Sequence, residues 1–221
     1  MYTLSVKECL TSGWNTFKTR PWIFIGVGVL LLLVNMLISG FQSMLQVGGA
    51  YVLGPESTVV AIISAIAGMA LTFLVSMGKI SFFLKAHDVV SDVSVRTLWH
   101  PSPYLKFVGT SILLTVILLI GFILLIVPGI ILGIMFGFAL YGVIEDGLGP
   151  VDALKRSRAI TKGNRWRMFL LGLALVGINI VGFIALIVGL LVTLPVSALA
   201  VVHAYRVLSR EYKEPEIVAA S

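Results

Sequence analysis

Hydrophobic and polar positions alternate along this chain on the scale of whole membrane spans. Two apolar runs without Asp, Glu, Lys or Arg, at 107–144 and 168–205, flank a polar stretch at 145–167. Each run has 38 residues, which is about 57 Å as an α-helix and nearly twice the ~30 Å hydrocarbon core of a bilayer. We therefore predict that each run crosses a membrane twice and that 145–167, the basic stretch, joins the two runs on one face.

Extended over the whole chain, this pattern predicts an all-α, polytopic membrane protein with six transmembrane helices in three hairpins. The helices are expected at 22–40, 57–84, 104–126, 130–144, 168–183 and 187–207. They form a single transmembrane domain at 1–208, followed by a cytoplasmic tail at 209–221. The helix at 130–144 is short for a full span, and Pro195 should bend or break the last helix.

A short amphipathic helix is predicted before each hairpin. At the start of the chain, Ser5 and Glu8 fit a capping box, and apolar side chains recur at three- and four-residue spacing from Val6 to Phe17. Similar pieces are expected at 92–100 and inside the basic stretch. Helices of this kind lie flat at the membrane interface.

Composition and charge support the membrane assignment and orient the chain. Hydrophobic residues make up 58% and charged residues 12%, with a mean hydropathy of +1.06, which excludes an ordinary water-soluble domain. With six helices, all sixteen Lys and Arg residues fall on the side that holds both termini. Under the positive-inside rule that side is the cytoplasm. Because this charge is all juxtamembrane, it does not predict nucleic-acid binding.

The basic stretch is the first candidate site, a docking surface for lipid headgroups or for a partner protein. Its cations are Lys155, Arg156, Arg158, Lys162, Arg165 and Arg167. Lys155, Arg158 and Lys162 share one face of the predicted helix because their spacing is three and four residues. The opposite, weakly apolar face holds Ala153, Leu154, Ser157, Ile160 and Thr161. Attraction to anionic lipid is worth about 1 kcal/mol per basic residue near the surface. The alternative is a topology anchor, which needs only positive charge on the inside.

Glu145 and Asp146 end the helix that precedes these cations, where the helix dipole disfavours carboxylates. We expect structural ion pairs, with the cations of the basic stretch as the nearest partners in sequence. Adjacent carboxylates on a helix do not face one substrate, so an active-site pair is not predicted.

Three polar side chains fall inside predicted helices. Asn35 and Asn179 are expected to hydrogen-bond between helices, and lining a substrate path is the sharper alternative. Lys79 lies near the cytoplasmic end of its helix, so its ammonium should reach the interface along its aliphatic stem.

The remaining residues form no catalytic or metal-binding pattern. His203 is interpreted as a lone histidine near the inner end of the last helix, and His87 and His100 are placed in loops. Cys9 is the only cysteine, so no internal disulfide can form. We therefore expect a protein that is not an enzyme and uses no metal and no cofactor.

A shift of 144 residues reveals a weak internal repeat. The identical pairs that it aligns include Leu10 with Leu154, Lys18 with Lys162, Trp22 with Trp166, Gly28 with Gly172, and Asn35 with Asn179. The order of elements is also shared: an amphipathic helix, an aromatic anchor and a helix pair. We predict three such units in parallel orientation, because a unit of two spans returns the chain to the same side.

The segment 126–205 resembles bacterial integral-membrane families of unknown function, related to the membrane domain attached to some glycerophosphoryl diester phosphodiesterases. The matching features are Val127-Pro128-Gly129-Ile130, Asp146, Ala153-Leu154-Lys155-Arg156-Ser157-Arg158, Lys162-Gly163-Asn164-Arg165-Trp166, Phe169, Pro195 and Tyr205. The resemblance implies a six-helix protein of the bacterial inner membrane. It transfers no reaction, because the phosphodiesterase domain of those fusions is soluble and has no counterpart in this sequence.

Two functions follow as hypotheses. The first is a non-enzymatic membrane protein that associates through its basic cytoplasmic face with membrane lipids, anionic ones in particular, or with another copy or another membrane protein. The second is a small transporter or lipid flippase that uses the repeat, with Asn35, Asn179, Pro195 and the short fourth helix shaping its path.

Overall fold

The computed structural model describes residues 4–53, 58–89 and 103–219, and all regular structure in those residues is α-helical. Its helices are α1 (Val6–Thr19), α2 (Pro21–Leu53), α3 (Thr58–Asp88), α4 (Tyr104–Leu124), α5 (Ile126–Phe136), α6 (Ala139–Asp146), α7 (Pro150–Ile160), α8 (Arg165–Ile184) and α9 (Leu186–Ala219). The all-α prediction is confirmed for these residues. The amphipathic piece predicted at 92–100 lies outside them.

Six helical segments of the described residues are long and apolar enough to cross a membrane, as predicted. They are Pro21–Gly48, Thr58–Asp88, Tyr104–Leu124, Ile126–Asp146, Arg165–Ile184 and Gly189–Arg210. Neighbours in sequence pack together as α2 with α3, α4 with α5, and α8 with α9. Membrane-spanning hairpins therefore remain the expected arrangement.

Three helices are longer than the sequence pattern predicts. α2 continues to Leu53 through a segment expected to be a loop, because 41–47 contains no proline, glycine or charge to end it. The fourth span begins at Ile126 and has 21 residues, so it is not short. α9 continues past Pro195 and through most of the expected tail to Ala219. A proline inside a membrane-spanning helix removes one intrahelical hydrogen bond without ending the helix when other groups can satisfy the freed carbonyl.

The fourth span contains a break, between α5 and α6 at Gly137 and Phe138. The hydroxyl of Ser157 on α7 forms hydrogen bonds with backbone groups at this break. Ser157 Oγ accepts a hydrogen bond from the Phe138 N–H at 3.1 Å and donates to the Met135 carbonyl at 2.9 Å. Thr161 Oγ1 donates to the Ser157 carbonyl at 2.8 Å, which holds the end of α7 at the same place. The break and α7 therefore depend on each other.

α9 is the centre of the packing, in contact with α1, α2, α3, α7 and α8. α1 can approach it closely because Gly13 has no side chain: a Cβ there would lie 2.7 Å from the Val196 carbonyl oxygen. Five rings, those of Phe24, Phe82, Phe83, Phe138 and Tyr205, fill the core where α2, α3, α6 and α9 meet. This core positions the polar groups at the same end of the bundle.

Replacing Ser157 with alanine should destabilise the protein. The change leaves the buried Phe138 amide without its acceptor, which costs about 1–3 kcal/mol. Unfolding in detergent, followed by circular dichroism against temperature, would measure the loss. Ser43→Ala is the control, because the Ser43 hydroxyl is exposed and its hydrogen bond among the described residues is to the Ser39 carbonyl of its own helix. Equal midpoints for the two variants would contradict the role assigned to Ser157.

Candidate functional site

The basic stretch is shaped by two glycines with positive φ. Gly147 (φ 62°) ends α6 in the left-handed conformation, and Pro150 then starts α7 at its first turn. Gly163 (φ 87°) turns the chain between α7 and α8. Lys106 Nζ donates to the Gly147 carbonyl at 2.8 Å. These turns position α7 between two spans.

α7 has the two faces that the sequence predicts. The whole weakly apolar face is buried: Ala153, Leu154, Ser157, Ile160 and Thr161. Lys155, Arg158 and Lys162 are exposed. Lys155 lies 3.8 Å from Asp152, but both side chains are about 70% exposed, and such a pair contributes little. The helix and the turn that follows it therefore present three exposed cations next to a buried face.

The other three cations of the basic stretch have different environments. Arg156 forms a salt bridge with Asp146. Arg167 Nη1 donates to the Leu4 carbonyl at 3.2 Å, which ties the start of the chain to α8. Arg165 is half-buried, and its Nε has no hydrogen-bond partner among the described residues. The six cations therefore fall into three groups. Lys155, Arg158 and Lys162 are exposed, Arg156 and Arg167 are bonded to other parts of the protein, and Arg165 is half-buried.

The two carboxylates at the end of α6 are paired, one of them with an unexpected partner. Asp146 pairs with Arg156 of the basic stretch, as expected. Glu145 pairs with Arg206 on α9, which the sequence analysis did not single out. Arg206 also bonds Asp88 at the end of α3. One guanidinium therefore joins α3, α6 and α9.

The polar cluster (Ser12, His87, Asp88, Glu145, His203 and Arg206) lies at these helix ends. His203 Nδ1 is 3.0 Å from both Ser12 Oγ and His87 Nε2, and His87 Nδ1 is 3.5 Å from Asp88 Oδ1. Because each imidazole has a single N–H when neutral, the tautomers decide which of these contacts donate. A cavity of about 310 Å³ opens beside the cluster, lined by His87, Asp88, Glu145, Arg206, Ser209 and Arg210.

No pattern in the sequence predicts this cluster. His203 is not alone, and His87 belongs to the last turn of α3 rather than to a loop. The two histidines are 116 residues apart, so no sequence spacing connects them. A weaker signal was present in the sequence. His87 and Asp88 lie at the end of one predicted span, and His203 and Arg206 lie at the end of another that is predicted to finish on the same face.

The intramembrane polar residues have three different environments. Asn179 Nδ2 donates to Ser197 Oγ on α9 at 2.9 Å and to the Leu175 carbonyl at 2.8 Å, which is the expected inter-helix bond. Asn35 instead is exposed and donates to the Leu31 carbonyl of its own helix at 2.7 Å. Lys79 is exposed near the end of α3. The expected inter-helix bond therefore forms at one asparagine only.

A groove lies between α5 and the start of α8, next to the basic stretch. Its volume is about 490 Å³, and its lining is apolar except at one residue, Arg165. The lining residues are Val127, Ile130, Ile131, Ile134, Arg165, Trp166 and Phe169. Within the described part of the chain, no group of three or more His, Cys, Asp or Glu side chains could hold a metal ion.

The fold defines a class before any comparison: an all-helical, multi-pass membrane protein with a basic helix between its fourth and fifth spans. A family model described as "Protein of unknown function (DUF975)" matches residues 59–211, so the chain belongs to this family. Membership in a family of unknown function is thereby confirmed. The relation to the membrane domain of phosphodiesterases stays a prediction.

Similar curated proteins come from mycobacteria. Uncharacterized protein Rv2560 of Mycobacterium tuberculosis and Uncharacterized protein Mb2590 of Mycobacterium bovis are each 29% identical to this chain over 155 residues. The match covers 70% of this chain and 47% of each relative, so the chain spans about half of the relatives' length. No solved structure shows a significant match.

Arg206→Gln should weaken the bundle. It removes the counter-charge that joins Asp88 and Glu145, and loss of the shared partner in this partly exposed pair of salt bridges costs about 1–3 kcal/mol. The thermal midpoint in detergent measures this. Arg210→Gln is the control, since Arg210 is exposed one turn further along α9 and forms no salt bridge with the described residues. An unchanged midpoint for Arg206→Gln would refute the structural role of this arginine.

The thiol of Cys9 should react slowly. Burial, with a contribution from the Glu8 carboxylate, raises the pKa of Cys9 from 9.0 to about 11. Because the pKa of Cys9 is higher in the folded than in the unfolded chain, the protonated thiol contributes to stability below pH 9, and this contribution is lost as the pH rises from about 9 to 11. At pH 8, alkylation should be at least roughly 100-fold slower than for an exposed cysteine. Thr11→Cys in a Cys9→Ser background supplies that comparison, and equal rates would contradict the burial of Cys9.

Proposed function

We propose that this protein is a non-enzymatic protein of the bacterial inner membrane that binds anionic lipid headgroups through α7. The observation that carries the proposal is an exposed trio, Lys155 and Arg158 on α7 and Lys162 in the turn directly after it, next to a helix face that is buried. No described salt bridge other than the exposed contact between Lys155 and Asp152 offsets their charge.

The support for α7 makes its cations effective. A flexible basic loop loses conformational freedom when it binds, and this loss weakens the attraction. α7 is held at Ser157 and Thr161 by hydrogen bonds to α5 and α6 and within itself. Its three cations are therefore already arranged on one face, at about 1 kcal/mol each near an anionic surface.

In this proposal α1 and α7 lie at the cytoplasmic interface, ahead of three hairpins. Trp22 and Trp166 support it: they are 82% and 69% exposed and are the second residues of α2 and α8. Exposed tryptophans near the ends of spans are typical interface anchors. With the basic side inside, both termini lie in the cytoplasm, as the charge distribution predicts.

A small transporter or lipid flippase is the second candidate, favoured by the internal repeat. A shift of 144 residues brings the start of α1 onto the start of α7, and the start of α2 onto the start of α8. Asn179 weakens this candidate, because its amide nitrogen is engaged by Leu175 and Ser197. Labelling of single cysteines at positions 35 and 179 from the aqueous side would support a path, and two unlabelled positions would exclude it.

The main proposal predicts that Lys155→Gln, Arg158→Gln and Lys162→Gln together weaken binding of a short-chain phosphatidylglycerol. At about 1 kcal/mol per cation, the Kd should rise roughly 100-fold. Titration of the detergent-purified protein by calorimetry measures it, with short-chain phosphatidylcholine as the neutral lipid. The charge-matched control replaces three exposed lysines elsewhere, Lys7, Lys18 and Lys85. An unchanged Kd in the α7 variant would refute the proposal.

A further inference from the structure

We propose that the groove between α5 and α8 is a specific seat for one anionic phospholipid of the surrounding bilayer, with an acyl chain in the groove and the phosphate on Arg165. This inference rests on the proposed function, since it names one lipid site beside the basic face of α7. It adds a second requirement, an apolar seat, which the exposed trio does not need.

One wall of the groove is a stripe of aliphatic side chains. Val127, Ile130, Ile131 and Ile134 follow one another at spacings of three, one and three residues, so they share one face of α5. Three of them are 37–65% exposed, which leaves the stripe incompletely covered by the protein. A stripe of this kind on a span can be covered by an acyl chain.

The other wall is aromatic. Trp166 and Phe169 stack with ring centroids 5.3 Å apart at the start of α8. The groove between the two walls has a volume of about 490 Å³, within the range of about 300–1,000 Å³ typical of small-molecule sites. The stacked rings on α8 and the branched aliphatic side chains on α5 therefore leave between them a groove that suits an acyl chain.

Arg165 gives the groove its preference for an anion. Its Nε is buried without a hydrogen-bond partner, and it forms no salt bridge with a described carboxylate. A guanidinium without an acceptor is unfavourable, and a phosphate oxygen in the groove would give the Arg165 side chain an acceptor. Guanidinium binds phosphate with two parallel hydrogen bonds and charge assistance. Because the lining holds no carboxylate, a zwitterionic lipid would find no partner there for its cationic group.

The location of the site points to a bilayer lipid as its occupant. α5 and α8 belong to two of the spans, so the apolar part of the groove opens towards hydrocarbon. Lys162 lies three residues before Arg165 in the turn that leads into α8 and is exposed. The site is therefore continuous with the basic face of α7, which would concentrate anionic headgroups at its mouth.

Native mass spectrometry of protein extracted gently from vesicles of equal phosphatidylglycerol and phosphatidylcholine tests this site. The expected result is one phosphatidylglycerol that stays bound per chain after extended washing in detergent. Ile131→Trp should fill the groove and reduce this species at least tenfold. Ile120→Trp is the matched control, since Ile120 is similarly exposed on α4 and does not line the groove. Equal lipid retention by the two tryptophan variants would overturn the proposal.

Arg165→Gln provides a second measurement that does not depend on packing in the groove. It should remove the preference for phosphatidylglycerol over phosphatidylcholine while a lipid is still retained. Retention of phosphatidylglycerol by this variant at the wild-type ratio, or a wild-type protein that retains no lipid, would overturn the inference.

The α7 variant separates this inference from the proposed function. Lys155→Gln, Arg158→Gln and Lys162→Gln should weaken short-chain lipid binding yet leave the single retained lipid in place. If the headgroup titration is unchanged while retention of the lipid still depends on Ile131, the proposed function is wrong and the proposed lipid site in the groove stands. If the headgroup titration changes and the two tryptophan variants retain equal amounts of lipid, the proposed lipid site in the groove is wrong and the proposed function stands.

Discussion

Backbone groups that are shielded from water must find hydrogen-bond partners within the protein, and this constraint governs the structure. The described spans meet it by being helical. The one described break inside a span, at Phe138, meets it through the hydroxyl of Ser157. Because Ser157 belongs to α7, the helix that presents the exposed cations also completes the fourth span. The basic face is therefore tied to the fold through the hydrogen bonds of Ser157 to Phe138 and Met135.

Charge compensation divides the polar end of the bundle into two regions that differ in how much positive charge is offset. In the polar cluster, Arg206 is shared by Asp88 and Glu145, so its positive charge is offset before any ligand approaches. Lys155 and Arg158 on α7 and Lys162 just after it are exposed, and among the described residues the one salt bridge to them is the exposed contact between Asp152 and Lys155. An arginine held by two carboxylates has little attraction left for a phosphate. This difference favours α7 over the polar cluster as the place where an anionic ligand binds.

The polar cluster serves the fold by joining helices that are far apart in sequence. Ser12, His87 and His203 link α1, α3 and α9 through one imidazole nitrogen, and Arg206 links α3, α6 and α9. Apolar side chains alone do little to fix the relative orientation of helices in a bilayer. Hydrogen bonds between helices are directional and therefore fix it more strongly. Together with the close approach at Gly13, these bonds set how α9 sits among its neighbours.

The sequence by itself determined the all-helical class, the six apolar spans and the two faces of α7. These features depend on local composition and on a period of 3.6 residues, which are present in the chain before it folds. The sequence pattern did not determine that α2 continues through 41–47, that α5 begins at Ile126 or that α9 continues past Pro195, because helix start and stop signals in a sequence are weak. The tertiary structure alone decided the bond between His87 and His203, the double pairing of Arg206 and the groove beside Arg165. Each of these joins residues whose separation in sequence carries no periodic signal, so only the packing of α9 and α8 against the other helices could bring them together.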